Sequence, residues 1–171
     1  MRLLTLNGSP AGPTSANGRL LAALAAIAPE HDWRVAPDVG ALPLFTPAAL
    51  AAGRPAEVEV LAQAIAAADA VVVSAPEYAH NLPAALKSAL EWMVASGELA
   101  GKPVVAMTAT PAPPRGEHCM RSLVATLLAM DARVLAKVPV YGVAEKLGEG
   151  GAVVDRELTE VLGAVVGVIA G

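Results

Sequence analysis

The sequence predicts one α/β domain built on a parallel sheet that is wound on both sides by helices. Three observations predict it. Ala70-Val71-Val72-Val73 is a continuous apolar run with no polar alternation, the pattern of a strand covered on both faces. Such runs alternate along the chain with stretches of helical period. The two loops richest in chemistry each leave an apolar run and enter a helical stretch, which places both at carboxyl ends of strands, where open sheets of this class hold their ligands.

Taken in order, Leu3-Leu4-Thr5-Leu6 opens the chain as a strand, and Leu20, Leu21, Leu24 and Ile27 mark the first helix. Strands are expected near 2–6, 33–36, 70–74, 103–108 and 133–138, and helices near 16–28, 55–68, 83–94, 117–130 and 155–169. The segment from Ala36 to Arg54, with its Pro and Gly, reads as a long connection inside one domain spanning 1–171. Pro83 suits a first helical position, and Leu86, Leu90 and Met93 recur at three- and four-residue spacing to give the following helix one apolar face.

Bulk properties agree with a packed domain and exclude several function classes. The chain has 171 residues, 55% hydrophobic but only 3% aromatic, so its core must be made chiefly of Ala, Val and Leu. Mean hydropathy is +0.53, yet no apolar run reaches the length that spans a bilayer, and Val161 to Ala170 closes the chain as an ordinary helix. The chain starts directly on its first strand, without the charged and apolar regions of a secretory signal, so a cytoplasmic protein is expected. A net charge of -4 and the lack of a basic cluster argue against nucleic acid as a partner.

The first loop, Asn7-Gly8-Ser9-Pro10-Ala11-Gly12-Pro13-Thr14-Ser15-Ala16-Asn17-Gly18, is rich in glycine and hydroxyl residues. Its backbone can approach an anion closely, and the start of a helix favours a phosphate there. It has neither the Lys-Ser/Thr ending of a P-loop nor the glycine spacing of a dinucleotide fingerprint. Helix capping by Thr14 or Ser15 explains the same residues equally well. The second loop is Ser74-Ala75-Pro76-Glu77-Tyr78-Ala79-His80-Asn81-Leu82-Pro83.

Together the loops carry a resemblance. Gly8-Ser9 with Ser15, Asn17 and Leu20, then Pro76-Glu77-Tyr78 followed by Leu82-Pro83, Leu86-Lys87 and Ala89-Leu90-Glu91-Trp92, is similar to the NADPH-dependent FMN reductase family. That family has a flavodoxin-like fold and includes flavin, quinone, chromate and azo-dye reductases. The resemblance runs from Leu3 to about Leu162. It implies a flavodoxin-like, doubly wound sheet of five parallel strands in the order 2-1-3-4-5, whose crossover lies between the strands feeding the two loops.

The family pattern also implies roles. Ser9, Ser15 and Asn17 match positions that hold the FMN phosphate, with Pro10 and Ala16 beside them, while Pro76, Glu77, Tyr78, Ala79 and Asn81 match the loop along the flavin ring. Thr108 to Gly116 would close over the ring's other edge by analogy. The implied activity passes a hydride from NADPH or NADH through FMN to a small-molecule acceptor, and no catalytic side chain is required for the first half of it. A homodimer or homotetramer is implied, with no membrane and no nucleic acid. The alternatives are a flavodoxin-type carrier without its own NAD(P)H turnover and a flavin-free binding module. Family members usually carry an arginine two residues after the Gly-Ser pair and an asparagine after Pro-Glu-Tyr; here those places are Ala11 and Ala79, and His80 or Asn81 would have to stand in for the latter.

Other residues point to structure. The single cysteine, Cys119, excludes an internal disulfide and reads as buried filler on a helix. His31, His80 and His118 are spread along the chain without ligand spacing, so no metal site is expected; His80 is the exception to a structural reading, because it lies inside the ring-side loop, where it could gate substrate or contact the ring. Glu77 is expected to bond backbone groups or a neighbouring subunit, Lys87 and Glu91 to form an exposed pair, and Trp92 and Met93 to lie in the core or an interface.

Overall fold

The computed structural model describes residues 1–171. Its elements are β1 (Arg2–Asn7), α1 (Ala16–Ile27), β2 (Asp32–Val35), α2 (Pro47–Ala52), α3 (Ala56–Ala67), β3 (Ala70–Ala75), α4 (Ala84–Val94), β4 (Pro103–Thr110), α5 (Glu117–Ala129), β5 (Arg133–Tyr141), α6 (Val143–Lys146) and α7 (Arg156–Ala170). The strands form one sheet in the order β2-β1-β3-β4-β5, and every pairing is parallel. The predicted topology is the observed one.

Alternation along the strands divides the core in two. Leu4, Leu6, Val71, Val73, Val104 and Ala106 pack with residues of α3, α4 and α5; Leu3, Ala70, Val72, Val105 and Met107 pack with those of α1 and α7. Both faces of the sheet are therefore dry, which is why the central strands carry no polar alternation. α7 is held at its start by Asp155, whose side chain accepts the Leu158 N–H at 2.7 Å.

The structure differs from the sequence expectation mainly at boundaries. β5 runs on to Tyr141 through Pro139, because β5 is an edge strand with β4 as its one partner and can dispense with an N–H on the open side. Pro83 precedes α4 as its cap position instead of starting the helix. The connection after β2 is partly helical, with a 3-10 turn at Val39–Ala41 and α2 capped by Thr46. It is strapped to α4: the buried Trp92 donates from Nε1 to Pro43 O at 2.8 Å, its ring meets Phe45 edge-on at 5.3 Å, and Phe45 N–H donates to Ser88 Oγ at 2.7 Å. Trp92 and Met93 are thus core residues.

Candidate functional site

The crossover between β1 and β3 opens a crevice at the carboxyl edge of the sheet. On one side stands the loop from β1 to α1, and Asn7 organises it. Its Oδ1 accepts the Ser9 N–H at 3.1 Å, and its Nδ2 donates to Gly12 O at 2.8 Å and Ser15 Oγ at 3.4 Å. Gly8 N–H donates to Ser74 O at 2.8 Å, Ala11 N–H to Ser9 Oγ at 3.3 Å, and Gly12 N–H to Ser9 O at 3.1 Å. Ser15 caps α1 by accepting the Gly18 N–H at 3.0 Å. The N–H groups of Thr14, Ala16 and Asn17 find no acceptor in the chain. Three free donors at the start of a three-turn helix, with the hydroxyls of Ser9, Thr14 and Ser15 in the same loop, form a donor set that fits a phosphate monoester.

Two glycines make this loop possible. A Cβ at Gly18 would meet Pro13 O at 2.5 Å and Pro13 Cα at 2.7 Å, so the loop can press on α1 there only against a hydrogen. A Cβ at Gly8 would meet Leu86 Cδ2 at 2.5 Å and Ala75 Cβ at 3.1 Å.

Asn17 does something other than its sequence match implies for its side chain. The Oδ1 accepts from Ser74 Oγ at 2.7 Å and from Ala109 N–H at 3.1 Å, and Nδ2 donates to Ala109 O at 3.4 Å. Ala109 lies one position beyond the last register pair of β3 with β4, Ala75 with Thr108, so the buried amide ties the start of α1 to both strand ends. What Asn17 offers a ligand is its backbone N–H.

On the other side, Pro76–His80 and Ala109, Thr110, Pro111 and Arg115 line a cleft of about 340 Å³. The second loop makes a two-residue reversal: Tyr78 N–H and Asn81 O, and Asn81 N–H and Tyr78 O, pair at 2.9 Å each, with Ala79 and His80 in left-handed conformation at φ +49° and +59°. Pro76, Glu77, Tyr78 and Ala79 line the cleft, whereas Asn81 lies outside its lining and accepts Leu82 N–H on its own Oδ1 at 2.8 Å. Thr108 and Gly116 also lie outside the lining. The Thr108 hydroxyl is buried and without a partner beneath Gly116, where a Cβ would sit 3.1 Å from it and where φ is +98°.

Glu77 holds the two ring-side loops together. Its Oε2 accepts the N–H groups of Gly116 at 3.1 Å, His118 at 3.0 Å and Cys119 at 3.1 Å, and its Oε1 lies 3.3 Å from His80 Nδ1. Burial pushes this carboxyl up, but the bonds from Cys119, His80, Gly116 and His118 outweigh it and hold the group below its ordinary value. The expectation that Glu77 bonds backbone groups is therefore met. Beneath it, Cys119 is buried, with its thiol donating to Pro76 O at 3.3 Å; burial, then the Glu77 charge, pushes it up to about 12. Sequence reading left Asn7 unassigned and set His80 and His118 apart, although their rings meet edge-on at 4.7 Å. No group of three or more His, Cys, Asp or Glu side chains is placed to hold a metal.

A second cleft of about 340 Å³ lies between α1 and β2, walled by Leu21, Ala22, Ala25, Trp33 and Val35. It is apolar, and its one carboxylate, Asp38, is engaged with the Gly40 N–H at 2.9 Å. The chemistry converges at the crevice instead.

The chain matches the NADPH-dependent FMN reductase family over residues 1–146. It is 34% identical over 146 residues to a quinone reductase of Escherichia coli, covering 83% of this chain and 77% of that one. It is 28% identical over 142 residues to an NAD(P)H-dependent FMN reductase of Pseudomonas aeruginosa, covering 82% and 76%. Among solved structures, the flavoenzyme NAD(P)H:(acceptor) oxidoreductase of Paracoccus denitrificans superposes with a TM-score of 0.81 at 22% identity, over 99% of this chain and 95% of that one. An archaeal flavodoxin superposes at 0.64 with 12% identity, over 99% and 97%, so the fold alone does not separate reductases from carriers. Taken with the family match, the chain belongs to the NADPH-dependent FMN reductases and is an oxidoreductase whose cofactors are FMN and NAD(P)H.

Proposed function

We propose that the protein oxidises NAD(P)H and reduces a quinone-type acceptor at the crevice, with the FMN phosphate at the start of α1 and the ring in the cleft. One observation carries the reading: three backbone donors without acceptors and an open cleft stand at the same edge of the sheet, on the two sides of the crossover. Likeness to a quinone reductase supports the acceptor class.

When bound, FMN supplies two-electron chemistry between a pyridine nucleotide and a second substrate. The chain's part is to hold and orient. Thr14, Ala16 and Asn17 N–H groups receive the phosphate, aided by the Ser9, Thr14 and Ser15 hydroxyls and the dipole of α1. The loop carries no cationic side chain from Asn7 to Gly18, so the site relies on neutral donors, backbone N–H groups and hydroxyls. Pro76 to Ala79 and Ala109 to Pro111 form the walls of the ring site, and Arg115 brings a positive charge to the cleft.

The protein is further proposed to act in the cytoplasm as a homodimer or homotetramer; no helix is long and apolar enough to cross a membrane. The oligomeric state is tested by light scattering. Activity is tested by the visible spectrum of the purified protein with FMN, followed by anaerobic NADPH and NADH. Bound flavin that bleaches supports the reading. Bound flavin that stays oxidised points to a carrier, and absence of binding removes both.

A further inference from the structure

We propose that His80 is the proton donor to the acceptor and that Glu77 fixes which of its nitrogens does the work. The proposal rests on the quinone-type reading above. His80 lines the same cleft as the ring-side loops. Its Nδ1 lies 3.3 Å from Glu77 Oε1, while Glu77 Oε2 is immobilised by three backbone N–H groups of α5 and the turn before it. A carboxylate held in this way only accepts, so Nδ1 carries the hydrogen and Nε2 is left to gain and lose a proton. The Glu77 side chain is 9% exposed and that of His80 78%, so the anchor is shielded while the working nitrogen can be recharged from water.

The backbone serves the same end. Ala79 and His80 both adopt left-handed conformation, which a side-chain-bearing residue adopts at a cost of about 1–3 kcal/mol and which clusters at functional sites. Here it puts the imidazole at the tip of the reversal closed by Tyr78 and Asn81. The titratable and charged groups around it are Glu77 and Tyr78 on its own loop, Arg115 before α5, and His118 in the first turn of α5, whose ring meets it at 4.7 Å.

The step balances. When a quinone receives the hydride equivalent that NAD(P)H gives up, one carbonyl π bond breaks and a hydroquinone monoanion results. Its oxygen forms an O–H bond with the proton on Nε2; the N–H bond breaks, and its electron pair stays on a neutral imidazole that water reprotonates. The net change is quinone plus NAD(P)H plus one proton to hydroquinone plus NAD(P)⁺.

The test compares two acceptors in the FMN-loaded protein: a soluble benzoquinone, which needs a proton, and ferricyanide, which takes electrons without one. Asparagine accepts left-handed backbone, so His80→Asn removes the acid without burdening the turn. General acids contribute about 10²–10⁴-fold, so the variant is expected to lower the benzoquinone-to-ferricyanide turnover ratio by at least tenfold near pH 7. Equal losses with both acceptors overturn the proposal. A second readout uses the flavin-free protein: nitrogen NMR of the histidines is expected to show neutral His80 protonated at Nδ1, and an Nε2–H tautomer overturns it. Failure of the parent protein to bleach with NADPH or NADH removes the underlying reading instead, and is seen before any variant is made.

Discussion

Two long helices start at the same edge of the sheet, and their first N–H groups meet different partners. At α5 the donors of Gly116, His118 and Cys119 converge on one oxygen of Glu77, a carboxylate supplied by the chain itself. At α1 the donors of Thr14, Ala16 and Asn17 are left without any acceptor. Every helix begins with orphan donors and a positive dipole end. One helix here spends that anion affinity on joining two loops, and the other keeps it for a ligand. The resident anion also reaches past the helix it caps, since its second oxygen meets His80.

The contrast can be broken most sharply at Gly18. A Cβ there collides with the Pro13 backbone, which must shift the loop and scatter its donors. Loss of two charge-assisted bonds of about 1.5–3 kcal/mol each predicts that Gly18→Ala weakens FMN binding by about a hundredfold or more, read by quenching of flavin fluorescence. An unchanged affinity would place the phosphate elsewhere.

Next in size is Glu77→Gln, which keeps an acceptor but removes its charge. Stability is expected to fall by about 2 kcal/mol in urea unfolding, because hydrogen bonds to charged groups are roughly twice as strong as neutral ones. The pH dependence follows from the lowered folded-state value of this carboxyl. Its contribution is fully present above the ordinary carboxylate range and is lost as pH falls through the lower folded value. The parent's advantage over the variant should therefore be constant near neutrality and shrink in acid; a gap that persists in acid points to packing instead of charge.

Ala11→Arg sharpens the comparison from the other direction by giving the open helix a cation. An exposed charge-assisted bond to phosphate should tighten FMN binding by about tenfold at low salt, with the gain reduced by added salt. Smallest is Ser15→Ala, which removes the cap on Gly18 N–H and is expected to cost about 1 kcal/mol in thermal or urea unfolding.

How much of this was legible in the sequence depended on how far each contact reaches along the chain. Sheet order, the crevice and the Ser15 cap could be read because strand runs, glycines and caps act within a few residues of themselves. Glu77 could be read as a bonder of backbone groups, but its partners lie 39 to 42 residues away and carry no local signal. Asn17 was found by its place in the loop, yet its side chain works on Ser74 and Ala109, 57 and 92 residues on. His80 and His118 were read as unrelated because a spacing of 38 matches no ligand pattern; the loop reversal and the first turn of α5 bring them together. Pro139 hid the end of β5, since a proline reads as a break unless the strand is known to be an edge.

The chain's one sulfur nucleophile lies directly under the carboxylate that joins the ring-side loops. Thiolate is the species that attacks electrophiles and is oxidised by peroxide. With its thiol pushed up to about 12 and no exposed surface, Cys119 has almost no thiolate at physiological pH. Burial and the neighbouring carboxylate thus make the chain's one thiol a poor nucleophile and a poor target for peroxide, although it lies beside the cleft.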